Sequence, residues 1–169
     1  MQFALTAAIS LMTLSYDADE DRVLFACEVE PDGKLLLQCT RRLLNNLVPY
    51  LVRAQLNHAE GPHDVSSDCG ENPTPPKLDE RVAVIPDGST ERLLVTSVDF
   101  SSTANHIVLA WKDKDEVSRA RLVLTFQSLP YWLSALQQCY VSGSWSTEVW
   151  AGVFPQEKFE SEDQPFTVH

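Results

Sequence analysis

Glycine is scarce, with six residues in 169. None falls in a Gly-x-Gly-x-x-Gly or Gly-x-x-x-x-Gly-Lys pattern. A phosphate-cradling loop uses those glycines for close backbone approach, so nucleotide sites of that kind are excluded. Cysteine is sparse as well. Cys27, Cys39, Cys69 and Cys139 are widely separated, and no two form Cys-x-x-Cys. Three of them lie in apolar-periodic stretches, where a free thiol behaves as a small hydrophobe. That usage fits a reducing compartment better than a secreted disulfide framework. No Lys or Arg precedes Arg22, so the apolar start "MQFALTAAISLMTLSYD" lacks the positive n-region of a signal peptide. No window reaches the run of about 18 apolar residues that argues for a membrane helix. A cytoplasmic protein that does not span a membrane is expected.

Positive charge is the other shortage. Against 24 Asp/Glu there are 13 Lys/Arg, a net charge of -11. The imbalance is local. Residues 1–56 carry -2, 57–91 carry -6, 92–141 carry +1 and 142–169 carry -4. The acidity therefore sits in the middle and at the end, where such blocks ordinarily solvate irregular chain.

What the sequence does contain is a pattern stated twice. "KLLLQC" alternates at Leu35, Leu37 and Cys39, then apolar residues recur at helical spacing at Leu43, Leu47, Tyr50, Leu51 and Ala54. "RLVLTF" alternates at Leu122, Leu124 and Phe126, then Leu129, Trp132, Leu133, Leu136 and Tyr140 share one helical face. Upstream, "LSYD" at 14–17 is matched by "TSVD" at 96–99, and "VLFAC" at 23–27 by "IVLAW" at 107–111. "DADED" at 17–21 and the Pro-Asp-Gly of "EPDGK" read as hairpin turns. The fold expected is α+β, an internally duplicated βββα–linker–βββα with an antiparallel sheet and helices packed on it. Residues 1–56 form the first unit and 92–141 the second, sharing one core as one domain. Residues 57–91, with five prolines and three glycines, form an acidic linker, within which "RVAVIP" offers a short strand at 82–85. Residues 142–169 form an acidic tail that docks through Trp145, Trp150, Val153 and Phe154. Pro49 should kink the first helix or end it at Val48, Pro130 suits a first turn after Gln127 or Ser128, and Gly143 should stop the second helix.

Chemistry is harder to find. His58, His63, Asp64, Asp68 and Cys69 crowd one segment, but without the paired spacing of a closed zinc site. "DADED" has calcium-type oxygens without the glycine and distal glutamate of an EF-hand. The strand-to-helix switches read "CTRRL" and "TFQSL", with no Gly-x-Ser-x-Gly; Ser128 and His106 are a pairing any chain of this size offers. No cofactor or metal is expected. Arg41 and Arg42 form a basic pair at a helix start, where the dipole disfavours cations. With Trp145 and Trp150 they are the candidate partner contacts. The order of elements resembles that of the PUR and Whirly single-stranded nucleic-acid binders, which carry four strands per helix where three are visible here. That resemblance implies nucleic-acid binding through a sheet face. The leading expectation is a non-enzymatic, bacterial-type interaction or adaptor protein with a protein partner. The alternatives are a single-stranded nucleic-acid binder using the sheet face and an enzyme with a cleft between the units.

Overall fold

Two hairpin turns and a helix account for the first part of the chain. The computed structural model describes residues 6–31, 33–60 and 83–151. Strands β1 (Ala7–Asp17) and β2 (Arg22–Val29) run antiparallel around the acidic turn. Asp17 Oδ1 accepts the N–H of Asp19 at 3.0 Å, the side-chain-to-backbone bond that fits Asp to turns. β3 (Gly33–Thr40) pairs antiparallel with β2 and runs directly into α1 (Arg41–Ala59), where the Thr40 hydroxyl caps the N–H of Leu43. The helix is continuous through Pro49, so it does not end at Val48. Leu47, Val48, Leu51 and Val52 are all buried, and their packing carries the helix past the one bond that Pro49 has no N–H to make.

The second part adds β4 (Glu91–Leu94), β5 (Ser97–Ser102), β6 (His106–Lys112), β7 (Ser118–Thr125), α2 (Leu129–Ser142) and a 3-10 turn at Glu148–Trp150. One seven-stranded sheet results, in the order β4-β3-β2-β1-β7-β6-β5. Its two end strands are consecutive in the chain, so the sheet curls round until its edges meet at Val95 and Thr96. The Val95 N–H bonds the carbonyl of Gln38 in β3, and the Thr96 N–H bonds that of Lys112 in β6, each at 3.0 Å. β1 makes the same kind of crossing. Ala7 and Ala8 pair with Ala120 and Arg121 of β7, and from Ile9 onward the strand pairs with β2.

The sheet is mixed, which corrects the antiparallel expectation: β1–β7 and β3–β4 are parallel pairs. The reason is the crossing. Each strand that leaves one ladder for another meets, at its start, a strand of the other half running the same way. The strand expected at 82–85 is also absent over 83–85. Val84 is buried on the outside of the sheet without being a strand residue, and its N–H bonds the Thr13 hydroxyl at 2.9 Å.

Alternation along the strands builds the core. Val23, Phe25 and Cys27 of β2, Leu35, Leu37 and Cys39 of β3, and Ile107, Leu109 and Trp111 of β6 all face inward with the buried residues of both helices, in one cluster. The Phe25 ring lies 5.2 Å from that of Trp111 and 5.9 Å from that of Trp132. α1 lies against β3 and β5, and α2 against β1. The Tyr140 hydroxyl joins the helices by donating to Asn45 Oδ1 at 2.8 Å. Each large apolar side chain buried in this way contributes about 1.5–3 kcal/mol. A smaller cluster of Ala26, Leu36 and Val84 lies on the outer face of β2 and β3. Among the described residues no helix is long and apolar enough to cross a membrane.

Candidate functional site

Arg41, Arg42, Trp145 and Trp150 do not form one surface. Arg41 and Arg42 are exposed in the first turn of α1, whereas Trp145 and Trp150 are each only 4% exposed. Both tryptophans pack edge-on against Tyr140, with centroids at 5.0 and 5.4 Å. Their rings are spent inside the protein, so neither is available to a partner. They dock residues 145–150 on the core, as expected; Val153 and Phe154 lie outside the described residues. Arg41 meets Trp145, its guanidinium carbon 5.9 Å from the ring centroid. Arg42 instead borders a shallow pocket of about 350 Å³ beside Leu94 and Thr96.

Trp145 is held by a carboxylate. Asp21, at φ 50°, accepts from the Tyr16 hydroxyl and from the Trp145 indole N–H, both at 2.7 Å. These two bonds, Tyr16 first, hold the Asp21 carboxyl below its ordinary range, with Arg41 adding to the effect. The hairpin tip between β1 and β2 is thereby fastened to the chain after α2. Gly143 belongs to the same joint. The helix stops there, but at φ -86°, and Ser144 takes the left-handed conformation at φ 53°. Glycine is required at 143 for space: a Cβ would sit 2.6 Å from the Tyr16 ring.

The open concavity is elsewhere, between the C-terminal half of α1 and the end of β5. It encloses about 670 Å³. Tyr50, Arg53, Ala54, Asn57 and His58 of α1 form one wall; Phe100 and Ser102 of β5, the turn residues Thr103 and Ala104, and Phe126 form the other. Tyr50 is 58% exposed, and its ring lies 5.9 Å from that of Phe100. At the far end His58 stacks on Phe126, with centroids 4.1 Å apart and planes within 6°. Arg53 and His58 are the basic lining groups, and among the described residues no carboxylate lines the groove.

The hydroxyls here are used by the backbone. Thr103 Oγ1 accepts the N–H groups of Asn105 and His106, and Ser102 donates to the Thr103 carbonyl. Ser128 and His106 both neighbour Thr125, but Ser128 donates to the Thr125 carbonyl at 3.0 Å while His106 Nδ1 meets Thr103 Oγ1. No cluster of three metal-ligating side chains occurs among the described residues; His63, Asp64, Asp68 and Cys69 lie outside them. The thiols that are described, Cys27, Cys39 and Cys139, are free and buried. Burial pushes Cys27 up to about 12 and Cys139 up to about 11, which leaves both poor nucleophiles.

Sequence reasoning missed this groove because its walls come from separate segments brought together by the curling of the sheet. One signal was present. Tyr50 falls at the edge of the apolar face of α1, where the buried stripe is Leu44, Leu47, Val48, Leu51 and Val52. No family model, curated protein or solved structure matches the chain.

Proposed function

We propose that the chain is a non-enzymatic protein-interaction protein and that the groove between α1 and β5 receives its partner. The observation that carries this reading is Tyr50, a large ring left 58% exposed at the mouth of an aromatic-lined groove. Tyr is among the side chains that concentrate binding energy at protein interfaces, since it offers much contact area for little conformational entropy. Arg53 adds a planar donor of the kind enriched there.

The pairing supports reading the two halves as copies sharing one core. Ala7 pairs five residues before the end of β7, and Glu91 pairs five residues before the end of β3. Tyr16 stands opposite Val23 and Val23 opposite Cys39; Ser102 stands opposite Ile107 and Ile107 opposite Leu124. On this reading the groove lies where the first copy meets the second. Three buried free thiols support a reducing, cytoplasmic location. Single-stranded nucleic acid on the outer face of β6 and β7 has less to draw on, since Lys112 and Arg119 are paired with Asp99, Glu91 and Asp113, and His106 is the one aromatic ring beside Arg121.

Selection from a displayed peptide library against the whole protein tests the proposal. Enriched peptides should bind Tyr50→Ala at least tenfold more weakly while its melting temperature stays unchanged. Peptides that bind Tyr50→Ala as well as wild type, or no enrichment at all, would contradict it.

A further inference from the structure

We infer that the groove takes an extended acidic peptide of a partner protein as an added strand on the free edge of β5. It seats an apolar ring beside Tyr50 and Phe100 and a carboxylate against Arg53. This inference rests on the peptide-binding reading above and goes further in specifying how the peptide lies and what chemistry it carries.

The edge comes first. Among the described residues β5 ends the sheet order and pairs with β6 alone. The Thr103 N–H bonds the His106 carbonyl at 2.9 Å, which sets the alternation of the ladder. Residues 97, 99 and 101 therefore turn their N–H and C=O groups toward β6, and Val98, Phe100 and Ser102 turn theirs to the open side. Among the described residues no hydrogen bond reaches the backbone groups of these three from that side. Helix α1 faces this edge with side chains only, because its own interior backbone groups are already paired. Another extended backbone supplies alternating donors and acceptors at the spacing the edge presents. A nucleic-acid strand does not, since its phosphodiester backbone carries no N–H donors.

The side chains then define the sequence preference. Phe100 and Ser102 lie in both the edge and the groove wall, so a strand added there passes beneath Tyr50. The basic groups facing it are Arg53 and His58, and among the described residues no lining carboxylate repels an acid. An Arg fork pairs bidentately with a carboxylate, which fixes the register of the incoming strand.

The test uses the full chain, isotopically labelled, and four probes: a capped octapeptide bearing two phenylalanines and three glutamates, its lysine-for-glutamate counterpart, the acidic peptide N-methylated at alternate residues, and oligo(dT). The acidic peptide should bind and slow amide exchange at Phe100 and Ser102 at least tenfold at saturation. The lysine peptide, the N-methylated peptide and the Arg53→Glu variant should each lose at least tenfold in affinity. If the acidic peptide shifts Tyr50 but leaves Phe100 and Ser102 exchange unchanged, and the N-methylated form binds equally, strand addition is wrong while the peptide-binding reading stands. Binding of oligo(dT) with no response to either acidic peptide would overturn both.

Discussion

The seam between α2 and β1 is filled, and the seam between α1 and β5 is open. In the filled seam the Trp132 indole reaches Met12 Sδ at 3.4 Å, and Tyr16 packs edge-on against Trp145 at 5.8 Å. In the open seam Tyr50 stands over Phe100, and beyond it the groove begins. The ladders place Tyr16 opposite Val23 and Ser102 opposite Ile107, positions that match on the proposed duplication. A tyrosine plugs one seam where a serine leaves the other unfilled. Helix length adds to the contrast: α1 has 19 residues and α2 has 14, and the extra turn carries Asn57 and His58 along the groove. On the proposed reading, the filled seam serves stability and the open one is left for recognition.

Truncation should break the symmetry of cost most visibly. Trp132→Ala empties the filled seam and should lose about 3–5 kcal/mol in urea denaturation. Tyr50→Ala, at an exposed position, should change stability by no more than about 0.5 kcal/mol. Equal losses would mean that the two seams are packed alike. Gly143→Ala is expected next in size. Its Cβ would displace the Tyr16 ring, at an overpacking cost of about 1–3 kcal/mol read from the same melts.

Ser102→Tyr sharpens the comparison by making the open seam resemble the filled one. Stability should hold within about 1 kcal/mol, while affinity for the acidic octapeptide falls at least tenfold. Asp21 gives a pH signature that belongs to the filled seam alone. Its carboxyl is held below the ordinary value of 3.8 by the Tyr16 and Trp145 bonds. Its stabilisation is therefore complete above that value and is lost as pH falls through the lowered folded-state value. An acid titration followed by tryptophan fluorescence should show this transition in wild type and lack it in Asp21→Asn. The smallest effect concerns the thiols: Cys27, Cys39 and Cys139 should label slowly in the native state, and faster at both seams only where a substitution has opened the core.

Strand-to-helix units were legible because period 2 giving way to period 3.6 leaves a clear apolar pattern. The α2 face was read correctly: Leu129, Trp132, Leu133, Leu136 and Tyr140 are all buried. In α1 the face is read in large part: Leu47 and Leu51 are buried and Leu43 and Ala54 pack partly buried against the core, while Tyr50, at the edge of that face, is exposed. Under the proposed duplication the ladders align Cys39 with Leu124 rather than with Phe126, because Val23 and Ile107 face them. A two-residue slip keeps every side chain on its own face, so alternation alone cannot detect it. β4 was hidden for a related reason. It continues into β5 with two residues between, and only its hydrogen bonds to β3 show that it serves a different ladder. Parallel pairing between halves depends on contacts 56 residues apart for Leu35 and Glu91 and 113 apart for Ala7 and Ala120, and local pattern carries no record of them. The groove, whose walls come from α1, β5 and Phe126, has the same long-range origin, and only Tyr50 hints at it.

The most direct test of the open seam as the working surface is a backbone amide shift map of the whole protein titrated with the acidic octapeptide. The largest shifts should fall at Tyr50, Arg53, Phe100 and Ser102, while Met12, Tyr16 and Trp132 in the filled seam stay unmoved. Shifts centred on Met12, Tyr16 and Trp132, or on Val108 and Val123 of the outer sheet face, would contradict the account.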